Sequence, residues 1–529
     1  MKKSRVAVLL LAFVMLFSVF AGCKGQTEEV DFENLPDIDR TEKVKLTVWV
    51  PREAWAPSAT YDLNDCYKEV EKILNIDLEF IHPTIGNEQE SFGFMLLDKT
   101  LPDIIIPGTW YDGGPKYGIE HGLFVDIDPY VKKYAPDYYQ LLQDRPDIQK
   151  EVVTDEGKIA AIYGIDKEEE YAYSGPIWNK HALDAIGEET APLTLSDWER
   201  VLTALKEKGY TAPMSLHAGG IQYLEHLILS AFGVDYEFFI DTETQKVKFG
   251  SLEQGYYDYL NLMRKWMDAG LIDPQFETRD WTGMVDNFKK NKTAVVFDNP
   301  ANALALYGEY GVDWVDGPYP VQNEGDRLNI RLKNWYASAY NNSNNSVAVV
   351  SKSCKHIDRA LDFLNYGFTE EGAMLYNFGI EGKSYTMVDG KPTFTDIYFQ
   401  EGTDIYEALY TYKVHNGVFE RREKYANPTI EANPELKEIM IRWTENADAT
   451  ANFPPVSYTR DEQRILDMYL SDINILIGEN IVAYISGKGN IIGSYPANAN
   501  NNLTKQIKEM GIDDILAVAQ RAYDRYVSR

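Results

Sequence analysis

Three short apolar runs, with a helical segment between the first two, constrain this fold more than any other feature. Lys43–Val50 (KVKLTVWV) alternates and then runs apolar, as a buried strand does. Pro51 stops it, because proline has no N–H to give to a ladder. Tyr67–Leu74 reads as a helix and Ile76–Ile81 as a second strand. Leu101–Pro107 (LPDIIIP) reads as a third, short and bounded by proline. Strand, helix, strand in this order predicts a parallel α/β sheet.

The same periodicities continue along the chain. Helices are expected over Ser196–Lys208, Tyr256–Ala269 (closed by Gly270), His356–Leu364, Asp461–Ile485 and Ile512–Tyr526. Short strands are expected over Thr293–Phe297, which ends in the turn signal Asp298-Asn299-Pro300, and over Ser346–Val350. With 529 residues the chain exceeds what one hydrophobic core serves, so at least two lobes are expected.

The N-terminus points outside the cytoplasm. Lys2, Lys3 and Arg5 precede the apolar run Val6–Ala21, a pattern of secretory signals. Phe20-Ala21-Gly22-Cys23 follows and resembles a bacterial lipobox, with Phe where Leu is commoner. Residues 1–22 are therefore expected to be a signal peptide, with Cys23 diacylated as two chains require for stable anchoring. Residues 23–41 are polar and acidic and fit a flexible tether. Nothing later is apolar enough over 18 residues to span a bilayer, so the remainder is expected to be soluble.

The formal charge is −30 and becomes three units more negative once the signal is removed. Such a surface opposes nucleic acid and anionic headgroups, and more weakly a polyanionic ligand. Beyond Cys23 only Cys66 and Cys354 remain, too few for a disulfide framework or a zinc site, and each is expected to be a small buried hydrophobe.

Several stretches, in their shared order, resemble the extracellular solute-binding proteins typified by maltose-binding protein, and more closely the large lipoprotein branch for oligosaccharide uptake. They are Leu101–Ile106 (LPDIII), Gly122–Tyr138 (GLFVDIDPYVKKYAPDY), Ile177–Gly187 (IWNKHALDAIG) and the PLTLSDWERVLTALKEKG segment after it. Ala269–Phe276 (AGLIDPQF), Phe368–Tyr385 (FTEEGAMLYNFGIEGKSY) and Ala522–Tyr526 (AYDRY) complete the set. The resemblance implies a two-lobed periplasmic-binding-protein-like fold (type II), with ligand held in a hinged interlobe cleft. It implies crossings near Tyr163–Ser174, Trp335–Asn345 and somewhere within Tyr385–Asn433. One lobe is then expected from 42–165 plus about 345–400, the other from 166–335 plus about 430–529.

Catalytic signatures are sparse. The seven His make no H-E-x-x-H, and there is no G-x-S-x-G, P-loop or D-x-[DN]-x-[DN]-G calcium loop. No metal, cofactor or catalysis is expected. Gly487-Lys488-Gly489 reads as a turn and Glu168-Glu169-Glu170 as a solvated run. The aromatic content is more informative, with ten Trp and 36 Tyr. Sugar rings stack flat C–H faces on such side chains, while their hydroxyls seek nearby polar groups on loops. Candidates just past strands or at a crossing are Trp55, Trp110, Tyr111, Asp298, Asn299, Trp335 and Tyr336. Trp198 and Trp266 fall on helix faces and are expected in the core, and Trp178 is expected to pack near the hinge.

The resulting expectation is a lipid-anchored, monomeric binding subunit on the extracytoplasmic face of the cell membrane. Its partners would be a carbohydrate ligand, most simply an oligosaccharide, and the permease subunits of an ABC importer. It would touch the membrane through its anchor only, and no nucleic acid. The alternatives are a secreted glycosidase or lyase, whose two carboxylates are a matter of geometry, or a surface sensor or adhesin on the same fold.

Overall fold

Asn64 starts the first helix by accepting from Cys66 N and Tyr67 N, and Cys66, Val70 and Leu74 then recur on its buried face. That helix, Asp65–Leu74, connects the parallel strands β1 (Val44–Trp49) and β2 (Ile76–Ile81), registered from Val44↔Ile76 to Trp49↔Ile81. The computed structural model describes residues 31–529 apart from 53–59, 99, 168–171, 173, 217–226, 309–310, 331–345, 415–416, 423–427, 446 and 489–501. Cys23, Trp55, Trp335, Tyr336, Gly489 and the Glu168–Glu170 run lie outside the described residues. The described residues up to Ile38 belong to one unit and those from Asp39 to Arg529 to a second. In the first, Asp31 holds a turn by accepting from Glu33 N at 3.1 Å and Asn34 Nδ2 at 2.8 Å.

The remaining strands run in chain order as follows. β3 is Ile104–Ile105 and β4 is Ile162–Tyr163, followed directly by β5 (Ile165–Asp166). β6 is Gly175–Asn179, β7 and β8 form the hairpin Phe238–Asp241 and Lys246–Phe249, β9 is Val295–Asp298 and β10 is Trp314–Asp316. β11 is Val347–Val350, β12 and β13 form a second hairpin at Tyr385–Val388 and Lys391–Phe394, and β14 is Glu420–Arg421.

Two main sheets result, ordered β2-β1-β3-β11-β4 and β10-β6-β9. The first is mixed rather than all parallel. β1 pairs parallel with both β2 and β3, but β11 lies antiparallel to β3 and to β4. The chain reaches β11 only after building the second sheet. β3 is also shorter than its apolar run, with two ladder residues.

The second sheet is wrapped by one apolar core drawn from residues between 172 and 330 and again between 430 and 523. Trp178, Trp198, Trp266 and Trp443 are fully buried. Trp178 meets Trp198 edge-on at 4.8 Å, and Trp198 stacks on Phe297 of β9 at 6.0 Å. Gly175 is needed where the Trp443 ring presses on β6, since a Cβ there would lie 2.3 Å from the indole. The helices expected around these sheets form at Leu195–Glu207, Gln254–Asp268, Ile357–Tyr366, Arg460–Ile485 and Ile512–Ser528.

β14 pairs parallel with β5, and there Arg421 Nε donates to the buried Asp166 at 2.7 Å. Cys66 and Cys354 are buried and form no disulfide, and burial pushes the Cys354 thiol up to about 12. Among the described residues no helix is long and apolar enough to cross a membrane.

Candidate functional site

The carboxyl end of β3 opens into a tight turn, Gly108–Trp110, that presents two aromatic side chains. Gly108 lies so close to β11 that a Cβ would sit 2.4 Å from Val349 Cγ1. That contact fixes the turn against the sheet. Trp110 is half-buried, with its ring edge-on to Trp49 and to Phe92, each at 5.9 Å. Tyr111 packs edge-on to Phe124 at 5.5 Å, and its hydroxyl shares a 2.7 Å hydrogen bond with His121 Nδ1. Burial, then the Asp112 charge, raises the Tyr111 hydroxyl, so it stays a neutral phenol.

The facing wall comes from the other half. The segment Phe453–Tyr458 runs into the Arg460–Ile485 helix, whose first turn is closed by a capping box between Thr459 and Glu462. Gln463 and Asp467 follow one turn apart on that helix, with Gln463 Nε2 donating to Asp467 at 2.7 Å. Between these walls lies a cleft of about 450 Å³, lined by Trp110, Tyr111, Tyr163, Phe453, Tyr458 and Asp467 among others.

An ion network holds one end of the cleft across the two halves. Asp155, in the turn before β4, accepts from Ser457 Oγ at 2.8 Å and Arg525 Nε at 2.8 Å, and also pairs with Arg529. Arg525 in turn donates to Glu462 at 3.0 and 2.5 Å. Burial alone would raise the Glu462 carboxyl. The Arg525 hydrogen bonds, the Thr459 N–H and the adjacent guanidinium charges outweigh that and hold it at about 2. Elsewhere, Tyr406 on the Ile405–Tyr412 helix donates to Asn302 at 3.0 Å. That helix packs on Asp65–Leu74, whereas Asn302 belongs to the half built on the second sheet, so this too is a bridge between halves.

Of the candidates read from the sequence, Trp110 and Tyr111 line the cleft together. Asp298 and Asn299 are not among its lining residues; they are buried at the end of β9. Asp298 accepts from Asn299 N, Asn302 Nδ2, Trp281 Nε1 and Tyr307 Oη, between 2.8 and 3.4 Å. Desolvation raises its carboxyl. Asn299 spends its side chain capping the short helix Pro300–Asn302. The pair orients Asn302 rather than facing open space. Phe453, Tyr458, Gln463 and Asp467 were missed. Their signals are local: an F-P-P-V-S-Y turn with an aromatic at each end, then the T-x-x-E capping box. Among the described residues no group of three or more His, Cys, Asp or Glu is placed to hold a metal ion.

A cleft of this kind, with aromatic, carboxylate and amide groups on its walls, suits a polyhydroxylated ligand. Over residues 91–374, more than half its length, the sequence matches the family described as bacterial extracellular solute-binding protein. The chain belongs to that family. One solute-binding relative is the polygalacturonan/rhamnogalacturonan-binding protein YtcQ of Bacillus subtilis (strain 168), 26% identical over 394 residues, or 73% of this chain and 75% of that one. Among solved structures, the S. pneumoniae ABC-transporter substrate-binding protein FusA in complex with kestose superposes with a TM-score of 0.73 at 17% identity. The match covers 92% of this chain and 99% of that one. Alginate-binding protein AlgQ2, without calcium ion, gives 0.70 at 20% identity, covering 92% and 98%. The two-lobed α/β solute-binding fold is thus shared along nearly the whole chain.

Proposed function

We propose that this chain is the extracytoplasmic binding subunit of an ABC importer, taking up an oligosaccharide between its lobes and handing it to the permease. The observation that carries this is the aromatic-lined cleft between two separately cored halves, in a member of the solute-binding family. The names of its relatives support the ligand class: YtcQ is named for polygalacturonan and rhamnogalacturonan, and FusA is seen with kestose. Capture is reversible, involves no bond-making, and proceeds by closure of the lobes around the ligand. The lobes follow the boundaries expected from the sequence, 42–165 with about 345–400 and 166–335 with about 430–529. Cys23 carries the lipid that keeps the monomer at the outer face of the membrane.

Titration calorimetry against oligosaccharides, paired with product analysis after long incubation, tests the reading. Saturable heat without shortened products is the expected outcome. Released product would favour the glycosidase or lyase instead.

A further inference from the structure

We propose that the cleft takes a neutral oligosaccharide and discriminates against uronate-bearing chains; this rests on the oligosaccharide-binding reading above. The balance of charged groups lining the cleft carries it. Lys116 and Arg529 are the cations among its described lining residues. Lys116 sits 2.6 Å from Glu156. Arg529 pairs with Asp155 and donates to the Lys150 and Val153 carbonyls, each at 3.1 Å. Both cations are spent within the protein.

The carboxylates on the same walls are Asp112, Glu151 and Asp467. Among the described residues neither Asp112 nor Asp467 has a cation as partner; Asp467 accepts from Gln463 instead. Arg460 is not among the lining residues; its charge reaches the Tyr111 and Tyr117 hydroxyls, but Asp461 and Glu462 beside it act on Tyr117 in the opposite sense. Among the described lining residues a ligand carboxylate would therefore meet like charge without a free forked guanidinium of the kind planar anions need. Sugar hydroxyls find the reverse. They donate to carboxylates in charge-assisted bonds, and the ring faces stack on Trp110, Tyr111 and Tyr458. The overall charge of −30 acts in the same direction at longer range. By this argument the chain parts from relatives named for polygalacturonan and alginate, which are acidic polymers, and sides with the one bound to kestose, which is neutral.

The test offers the full-length chain a mixture of neutral fructo-, gluco-, galacto- and xylo-oligosaccharides with oligogalacturonates and alginate oligomers of matched length. Native mass spectrometry reads what is captured. Only neutral masses should be retained, and Asp467→Asn, which is exposed and leaves the core intact, should weaken their binding about tenfold or more with an unchanged melting temperature. Capture of uronates in preference to neutral chains overturns the inference and leaves the binding-protein reading standing. Neutral capture that is indifferent to Asp467→Asn removes the ligand from this cleft and also overturns it. Capture of neither class brings down both readings together.

Discussion

Asp155 and Arg525 meet at 2.8 Å, Oδ2 to Nε, tying the turn before β4 to the last helix, Ile512–Ser528. Arg525 also holds Glu462, so one guanidinium neutralises carboxylates from both halves of the molecule. Removing either acid would leave the arginine partly buried with less charge compensation, which is why such groups act as a unit.

Acid should loosen this junction. Glu462 is held at about 2 when folded against 4.5 when free, and Asp155 is also lowered despite its burial. A depressed folded value means that the stability is fully present above about pH 4.5 and is lost as pH falls towards 2. Chemical denaturation between pH 5 and about 2.5 should show that loss, and Glu462→Gln should show less of it. Parallel curves for the two proteins would exclude Glu462 as the source.

The acid junction was not legible in the sequence, because its members lie about 300–370 residues apart and only folding gathers them. The first sheet was, since β1, the helix after it and β2 are adjacent in the chain and strongly patterned. The antiparallel place of β11 in it was not, because that is a long-range pairing for which no local periodicity speaks. The site divides in the same way. Trp110 and Tyr111 follow a strand and were read from that position alone. Asp298 has the same position, yet its side chain turns inward to four local donors, a choice that position after a strand does not encode. Asp467 and Tyr458 reach the cleft only because the halves face each other.

Gly108→Ala should perturb binding without touching a ligand contact. The new methyl would overlap Val349, and overpacking of this kind typically costs about 1–3 kcal/mol. Relief by moving the turn displaces Trp110. Stability and oligosaccharide affinity should therefore fall together; a variant of unchanged affinity would show that the turn position is irrelevant to recognition.

Lipid attachment rests on Phe20 to Cys23. Cys23→Ala should move the protein from the membrane fraction to a soluble or unprocessed form. Normal processing with full membrane retention would count against acylation.

Closure should involve Tyr406, whose hydroxyl reaches Asn302 across the two halves. A hydrogen bond of this sort contributes about 1 kcal/mol. At half-saturating oligosaccharide, small-angle scattering should give Tyr406→Phe a larger mean radius of gyration than the parent protein. Identical profiles would mean that this bond does not bias the open and closed forms.

Two tryptophans separate ligand contact from packing. Trp110 lines the cleft with its edges against Trp49 and Phe92, whereas Trp178 has no exposed surface and packs on Trp198. Truncating an aromatic that stacks on a ligand typically costs 2 kcal/mol or more, about a 30-fold loss of affinity. Truncating a core tryptophan costs about 3–5 kcal/mol of folding stability. Trp178→Ala should therefore lower stability by that larger amount and, in the fraction that folds, bind as before. Trp110→Ala should bind about 30-fold more weakly and lose only about 1–2 kcal/mol of stability, because its side chain is only half-buried. Calorimetry and denaturant titration on both variants give four numbers. If Trp110→Ala keeps its affinity and loses stability as Trp178→Ala does, Trp110 is a packing residue and the stacking platform lies elsewhere in the cleft.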